Sequence, residues 1–255
     1  MPAMTNLLGR LRFRLVATRW RAWQRYRHQT RRPAVCLAFV LPLAAIYELG
    51  ALWVAGGRLG ARELLVPRSI REVLAWFGFQ GFWLPALALV VSLLMWHRIR
   101  RDRWQVPIRV VPLMGLESLL LALPLVIVSA LFPPRVEAGL AELPVRLVNG
   151  LGAGVYEELV FRLLLISGLT WLLGELLEVR GAPGRWTAAA IAALIFSGCH
   201  FAPLGGEPFR WGAFWFRAVA GMYLAVLYFR RGLGISTGAH AAYNLLLVGW
   251  HGTSW

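Results

Sequence analysis

Tyr156-Glu157-Glu158-Leu159-Val160-Phe161-Arg162 lies inside an apolar stretch that runs from about residue 144 to about residue 174. A helix of that length is more than enough to cross the hydrocarbon core of a bilayer, which takes about 20 residues. Charged side chains inside such a span are costly, so they point to function unless they are neutralised. On a helix, Glu158 and Arg162 stand at i and i+4 and can pair. Glu157 is rotated about 100° away from Glu158 and points elsewhere, free to act as a base. The alternative is a buried charge cluster that only fixes helix packing.

The rest of the chain has the same character. It is 58% hydrophobic and 15% charged over 255 residues, with a mean hydropathy of +0.60. Average globular chains are roughly 45–50% apolar and about 25% charged. The excess excludes disorder, a collagen-like repeat and a disulfide-rich secreted module. It predicts an all-α polytopic membrane protein. Hydropathy places about seven transmembrane helices, near 34–55, 75–96, 107–132, 144–174, 186–204, 212–229 and 233–250. Pro107, Pro112 and Pro124 predict a kinked third span. Cys36 and Cys199 sit in apolar runs and read as buried thiols.

All 27 basic residues are arginine, against 12 acids, for a net charge of +15. Such a balance first suggests nucleic acid. The placement of the arginines sets that partner aside. Nine lie between Arg10 and Arg32, and another group is His97-Arg98-Ile99-Arg100-Arg101-Asp102-Arg103. These clusters flank apolar segments, as on the cytoplasmic side of a membrane protein. With the arm inside, the arm and the loops 97–106, 175–185 and 230–232 hold seventeen arginines, and the opposite loops hold six. Within the arm, Leu8, Leu11 and Leu15 recur at helical spacing, with Trp20 and Trp23 beyond. That pattern fits either a helix on an anionic bilayer surface or a solvated basic tail.

Other ionisable residues fall in the predicted spans. Phe196-Ser197-Gly198-Cys199-His200 ends in a histidine, and His240-Ala241-Ala242-Tyr243-Asn244 puts His240 and Asn244 on one helix face. The small residues Gly238, Ala239, Ala241 and Ala242 allow close helix approach. Structural roles are expected for Glu48 and for Glu117, which could pair with an arginine or line a cavity. Arg217 is expected to snorkel to the interface.

Glu157, His200 and His240 have the chemistry of a catalytic zinc ligand set. They also form a set that can hold and deprotonate water without a metal. His-Glu-x-x-His and Gly-x-Ser-x-Gly are both absent, and no Asp lies in a span. Gly152-Ala153-Gly154 and Gly205-Gly206 are not phosphate loops. The chemistry that remains is water activation by a carboxylate with polarisation of a carbonyl, which describes peptide-bond hydrolysis.

Glu157-Glu158-x-x-x-Arg162, Phe196-x-x-x-His200 and His240-x-x-x-Asn244, in that order, resemble the three motifs of the CPBP family. These are the CAAX proteases and bacteriocin-processing enzymes, also called Abi or type II CAAX prenyl endopeptidase-like proteins. The resemblance covers about residues 144–250. It implies an α-helical intramembrane protease with a polar cavity among its helices. Glu157 would activate water. His200 and His240 would orient that water or stabilise the oxyanion, and Asn244 would help form the oxyanion site. Glu158, Arg162 and Phe196 would shape the site. No cofactor is expected; zinc held by Glu157, His200 and His240 is the alternative.

The chain is accordingly read as three parts: a basic cytoplasmic or interfacial arm (1–32), N-terminal transmembrane helices (33–142) and a CPBP-like catalytic core (143–255). Expected partners are the lipid bilayer and a membrane-associated protein or peptide substrate, in a bacterial inner membrane. Two other readings stay open. One is a non-catalytic immunity or regulatory scaffold of the same fold, and the other is a small proton-coupled transporter.

Overall fold

The computed structural model describes residues 20–56, 64–131, 143–204 and 206–251. Among them, residues 20–30 form helix α1. Eight longer helical elements follow: α2 (Pro33–Gly56), α3 (Leu65–Trp76), α4 (Leu84–Arg100), α5 (Val110–Ser129), α6 (Leu143–Glu157), α8 (Gly181–Gly198), α9 (Trp211–Arg231) and α10 (Leu233–His251). Between α6 and α8 the helix continues through a π-helical segment, Glu158–Leu165, into α7 (Ile166–Leu176). The described residues hold no strand, only one isolated β-bridge between Phe201 and Glu207.

Four helical stretches are long and apolar enough to cross a membrane: Pro33–Val54, Val110–Ser129, Leu143–Leu176 and Trp211–Arg231. The chain is an integral membrane protein, all-helical in its described residues. The other three expected spans correspond to helices that do not meet that measure by themselves. α4 has 17 residues, and α8 and α10 are rich in Gly and Ala. For α10 the reason is its position. Leu233, Ile235, Ser236, Thr237 and Ala239 are all buried. A helix surrounded by protein needs small side chains for close packing more than it needs apolar ones against lipid. Gly154 shows how close that packing is. A Cβ there would lie 2.6 Å from the backbone N and 2.7 Å from the Cα of Ala241. Any side chain at 154 would therefore push α10, which carries His240, away from α6.

The second span differs from its expected course of 75–96. α3 ends at Trp76, the chain turns through Gly78 (φ 83°) and Gly81 (φ 151°), and α4 starts only at Leu84 with a proline in its first turn. Trp76, Phe77, Phe79 and Trp83 make this stretch apolar, yet all four are exposed. They suit a membrane interface, where aromatic rings concentrate.

The residues that would test a surface helix around Leu8, Leu11 and Leu15 lie outside the described part. α1 is fixed to α5 and to the end of α9, and the turn after it is fixed to the segment after α4. Arg231 stacks over Trp23 and Tyr26 at 4.9 and 5.3 Å. Arg231 also forms a two-point pair with Glu117, at 2.5 and 2.6 Å, and Tyr26 donates to the same carboxylate at 2.6 Å. Glu117 therefore pairs with an arginine. Arg32 reaches Asp102 at 3.1 Å. Burial would raise the Asp102 carboxyl, but hydrogen bonds from Arg32 and from the Arg103 N–H outweigh it and hold the group below the ordinary carboxylate range.

Candidate active site

Among the described residues Glu158 is the most enclosed charge, at 0% exposure. Arg162 Nη1 lies 3.1 Å from its Oε1, as the i,i+4 spacing predicts, although the backbone here is π-helical. π-Helical turns recur at functional sites. Two groups from α10 complete the shell around this carboxylate. His240 Nδ1 lies 3.0 Å from Glu158 Oε1, and the Ser236 hydroxyl donates to Oε2. Burying a carboxylate is tolerable only with such compensation. Arg162 in turn stacks on the Phe196 ring at 4.6 Å and reaches the Gly221 carbonyl at 3.4 Å. One ion pair therefore ties the π segment to α8, α9 and α10.

Glu157, one residue earlier, faces a different space. It lines a cavity of about 410 Å³ together with Phe196, His200, His240 and Asn244. The structure thus gathers Glu157, His200, His240 and Asn244 around one hollow, with Phe196 in its wall. Glu158 and Arg162 stand behind that wall.

The two histidines are oriented by their Nδ1 atoms. His200 Nδ1 donates to the Phe196 carbonyl at 2.8 Å, the i,i−4 contact that Phe196-x-x-x-His200 makes at the end of α8. His240 Nδ1 donates to Glu158. In the neutral rings this leaves each Nε2 as a bare lone pair. Both face Glu157: His200 Nε2 is 3.9 Å from Oε1, and His240 Nε2 is 3.7 Å from Oε2. These gaps are too long for direct hydrogen bonds and suit a bridge through one water molecule. Phe196 packs edge-on against His200, with ring centroids 4.9 Å apart, and holds that ring in place. Asn244 donates one amide N–H to the Gly150 carbonyl at 3.0 Å, which leaves a second N–H on the same nitrogen.

Glu157, His200 and His240 are chemically suited to zinc. Among the described residues, however, no three His, Cys, Asp or Glu side chains are grouped closely enough to hold a metal ion.

The cavity also contains residues that the sequence did not single out for function. Arg217 does not snorkel to an interface. It is buried beside the cavity and pairs with Glu207 at 2.8 and 2.9 Å, with its guanidinium over Phe201 at 5.3 Å. Its partner lies in the α8–α9 connection, where no helical periodicity relates the two. Arg146, Asn149 and Tyr243 line the same hollow. Arg146 is a charge inside the predicted fourth span, a signal of the same kind as Glu157. Ser236 stands four residues before His240 on the same face, which would have signalled its part in the shell. Glu48 lies elsewhere, buried against α6, where it accepts the Tyr156 hydroxyl.

The helical bundle thus holds an acid, two histidines and an asparagine around one internal cavity. The model of the type II CAAX prenyl endopeptidase Rce1-like family matches residues 139–246. This is the CAAX protease family that the three motifs resemble, and the matched segment contains every member of the cluster. No curated protein and no solved structure matches the chain.

Proposed function

We propose that the chain is an intramembrane endopeptidase that hydrolyses a peptide bond of a membrane-associated protein or peptide through a water activated by Glu157. The observation that carries this reading is the convergence of two bare Nε2 atoms on one carboxylate, at 3.9 and 3.7 Å. That space suits a water whose protons point at Glu157 and at one imidazole. Glu158 cannot serve as the base, because Arg162, His240 and Ser236 occupy it.

In the proposed reaction Glu157 takes a proton from the water as the water oxygen bonds to the scissile carbonyl carbon. The negative charge moves to the carbonyl oxygen, where the second N–H of Asn244 stabilises it. Collapse of the tetrahedral intermediate breaks the C–N bond, and the proton on Glu157 passes to the leaving nitrogen. His200 and His240 hold the water in line throughout, each fixed through its Nδ1. The proposed location is a bacterial cytoplasmic membrane, with the arginine-rich side facing the cytoplasm.

No step of the proposed reaction passes through a metal. Treating the purified enzyme with EDTA or phenanthroline should leave at least most of its cleavage rate. Loss of the rate with recovery on added zinc would replace the metal-free mechanism by a zinc site.

A further inference from the structure

The cavity and the arginines lie at opposite ends of the helix bundle. Its polar lining comes from the start of α6 (Arg146, Asn149), the α8–α9 connection (Glu207), the start of α9 (Arg217) and the second half of α10 (Asn244). The exposure of the charged side chains sets the direction of the opening. It falls from 28% at Glu207 and 26% at His200 to 15% at Glu157 and 7% at His240. The cavity therefore opens beside Glu207 and deepens toward Glu158.

The opposite end is built from α1, the end of α4, the start of α5, the α7–α8 connection and the end of α9. The pairs Arg32–Asp102 and Arg231–Glu117, with the Thr30 hydroxyl bonded to the Arg231 carbonyl, tie α1, α5, the end of α9 and the segment after α4 together. Fourteen of the described arginines lie at this end, Arg98, Arg100, Arg101 and Arg103 among them. Five lie at the cavity end, and two of those, Arg146 and Arg217, are buried. The 21 residues of α9 separate the ends by about 30 Å, a full hydrocarbon thickness. Exposed tryptophans mark both boundaries, Trp20 and Trp104 at the arginine end and Trp83 and Trp211 at the cavity end.

Arginine-rich ends stay in the cytoplasm. We infer that the catalytic cavity opens on the non-cytoplasmic side of the membrane and takes exported polypeptides, cleaved in the segment that emerges at the outer face. A cytoplasmic tail would lie a bilayer thickness from the opening. This inference rests on the proposed hydrolase for the cleavage step, but the orientation stands on geometry and charge alone.

Cysteine labelling tests the orientation without reference to activity. The background is the full chain with Cys36→Ser and Cys199→Ala, expressed in bacterial cells. Leu204→Cys places a thiol at an exposed site in the α8–α9 connection, and Gln105→Cys places one at an exposed site between α4 and α5. A membrane-impermeant maleimide should label Leu204→Cys in cells with an intact inner membrane and label Gln105→Cys only after that membrane is permeabilised. The reverse pattern overturns the inference, and so does equal labelling of both before permeabilisation. If the orientation holds and no cleavage occurs, the hydrolase reading fails and the orientation survives.

Discussion

Glu157→Gln should lower peptide cleavage by about 10²–10⁴-fold, the usual contribution of a general base, while leaving the fold unchanged. The amide keeps the size of the side chain and its place in the cavity wall, but it cannot take a proton from water. The carboxylate is not part of the structural ion pair, which Glu158 makes with Arg162. The expected signature is therefore a catalytic loss without a shift in thermal unfolding in detergent. Cleavage of a reporter peptide and the unfolding midpoint, measured on the same preparation, would show it. A rate within tenfold of the unmodified enzyme would remove Glu157 from the role of base.

Arg162→Met should destabilise the protein by about 3–5 kcal/mol, because removing one member of a buried pair leaves an uncompensated charge. Both partners are enclosed, with side-chain exposures of 2% and 0%. Methionine keeps the apolar bulk of the stem, so the loss reports the charge rather than a cavity. The stacking of Arg162 on Phe196 is lost as well. Adding Glu158→Gln should restore much of the stability, since the remaining group is then neutral. It should not restore activity, because the Nδ1 of His240 would face an altered partner and its Nε2 would no longer be fixed toward Glu157. Denaturation in mild detergent measures both steps. A cost below 1 kcal/mol for the single variant, or no recovery in the double, would contradict this account of the ion pair.

What the sequence made legible is what local spacing encodes. Glu158 and Arg162, Phe196 and His200, and His240 and Asn244 are all four residues apart, and such pairs share a helix face whatever surrounds them. The apolar run at 144–174 marks a helix that in fact extends over Leu143–Leu176. Its π-helical middle left no trace, because a change of hydrogen-bond register alters no composition. The second span begins later than hydropathy suggests, at Leu84, for a related reason. Hydropathy counts Trp76, Phe77, Phe79 and Trp83 as membrane interior, whereas these rings lie in an exposed turn that Gly78 and Gly81 make possible.

Partners distant in sequence were the least legible. Glu117 finds Arg231, 114 residues away. Arg217 is neutralised by Glu207, which sits in a connection rather than on a helix. A charge in a predicted span can be read as needing a partner, but the partner's identity follows only from the packing of the bundle.

The most direct test of the central claim, proteolysis carried by Glu157, is a comparison of membrane-protein termini in cells expressing the unmodified chain, Glu157→Gln or His240→Ala at matched levels. The account predicts at least one new terminus that appears with the unmodified chain and is absent with both variants. The same set of termini in all three cultures would contradict it.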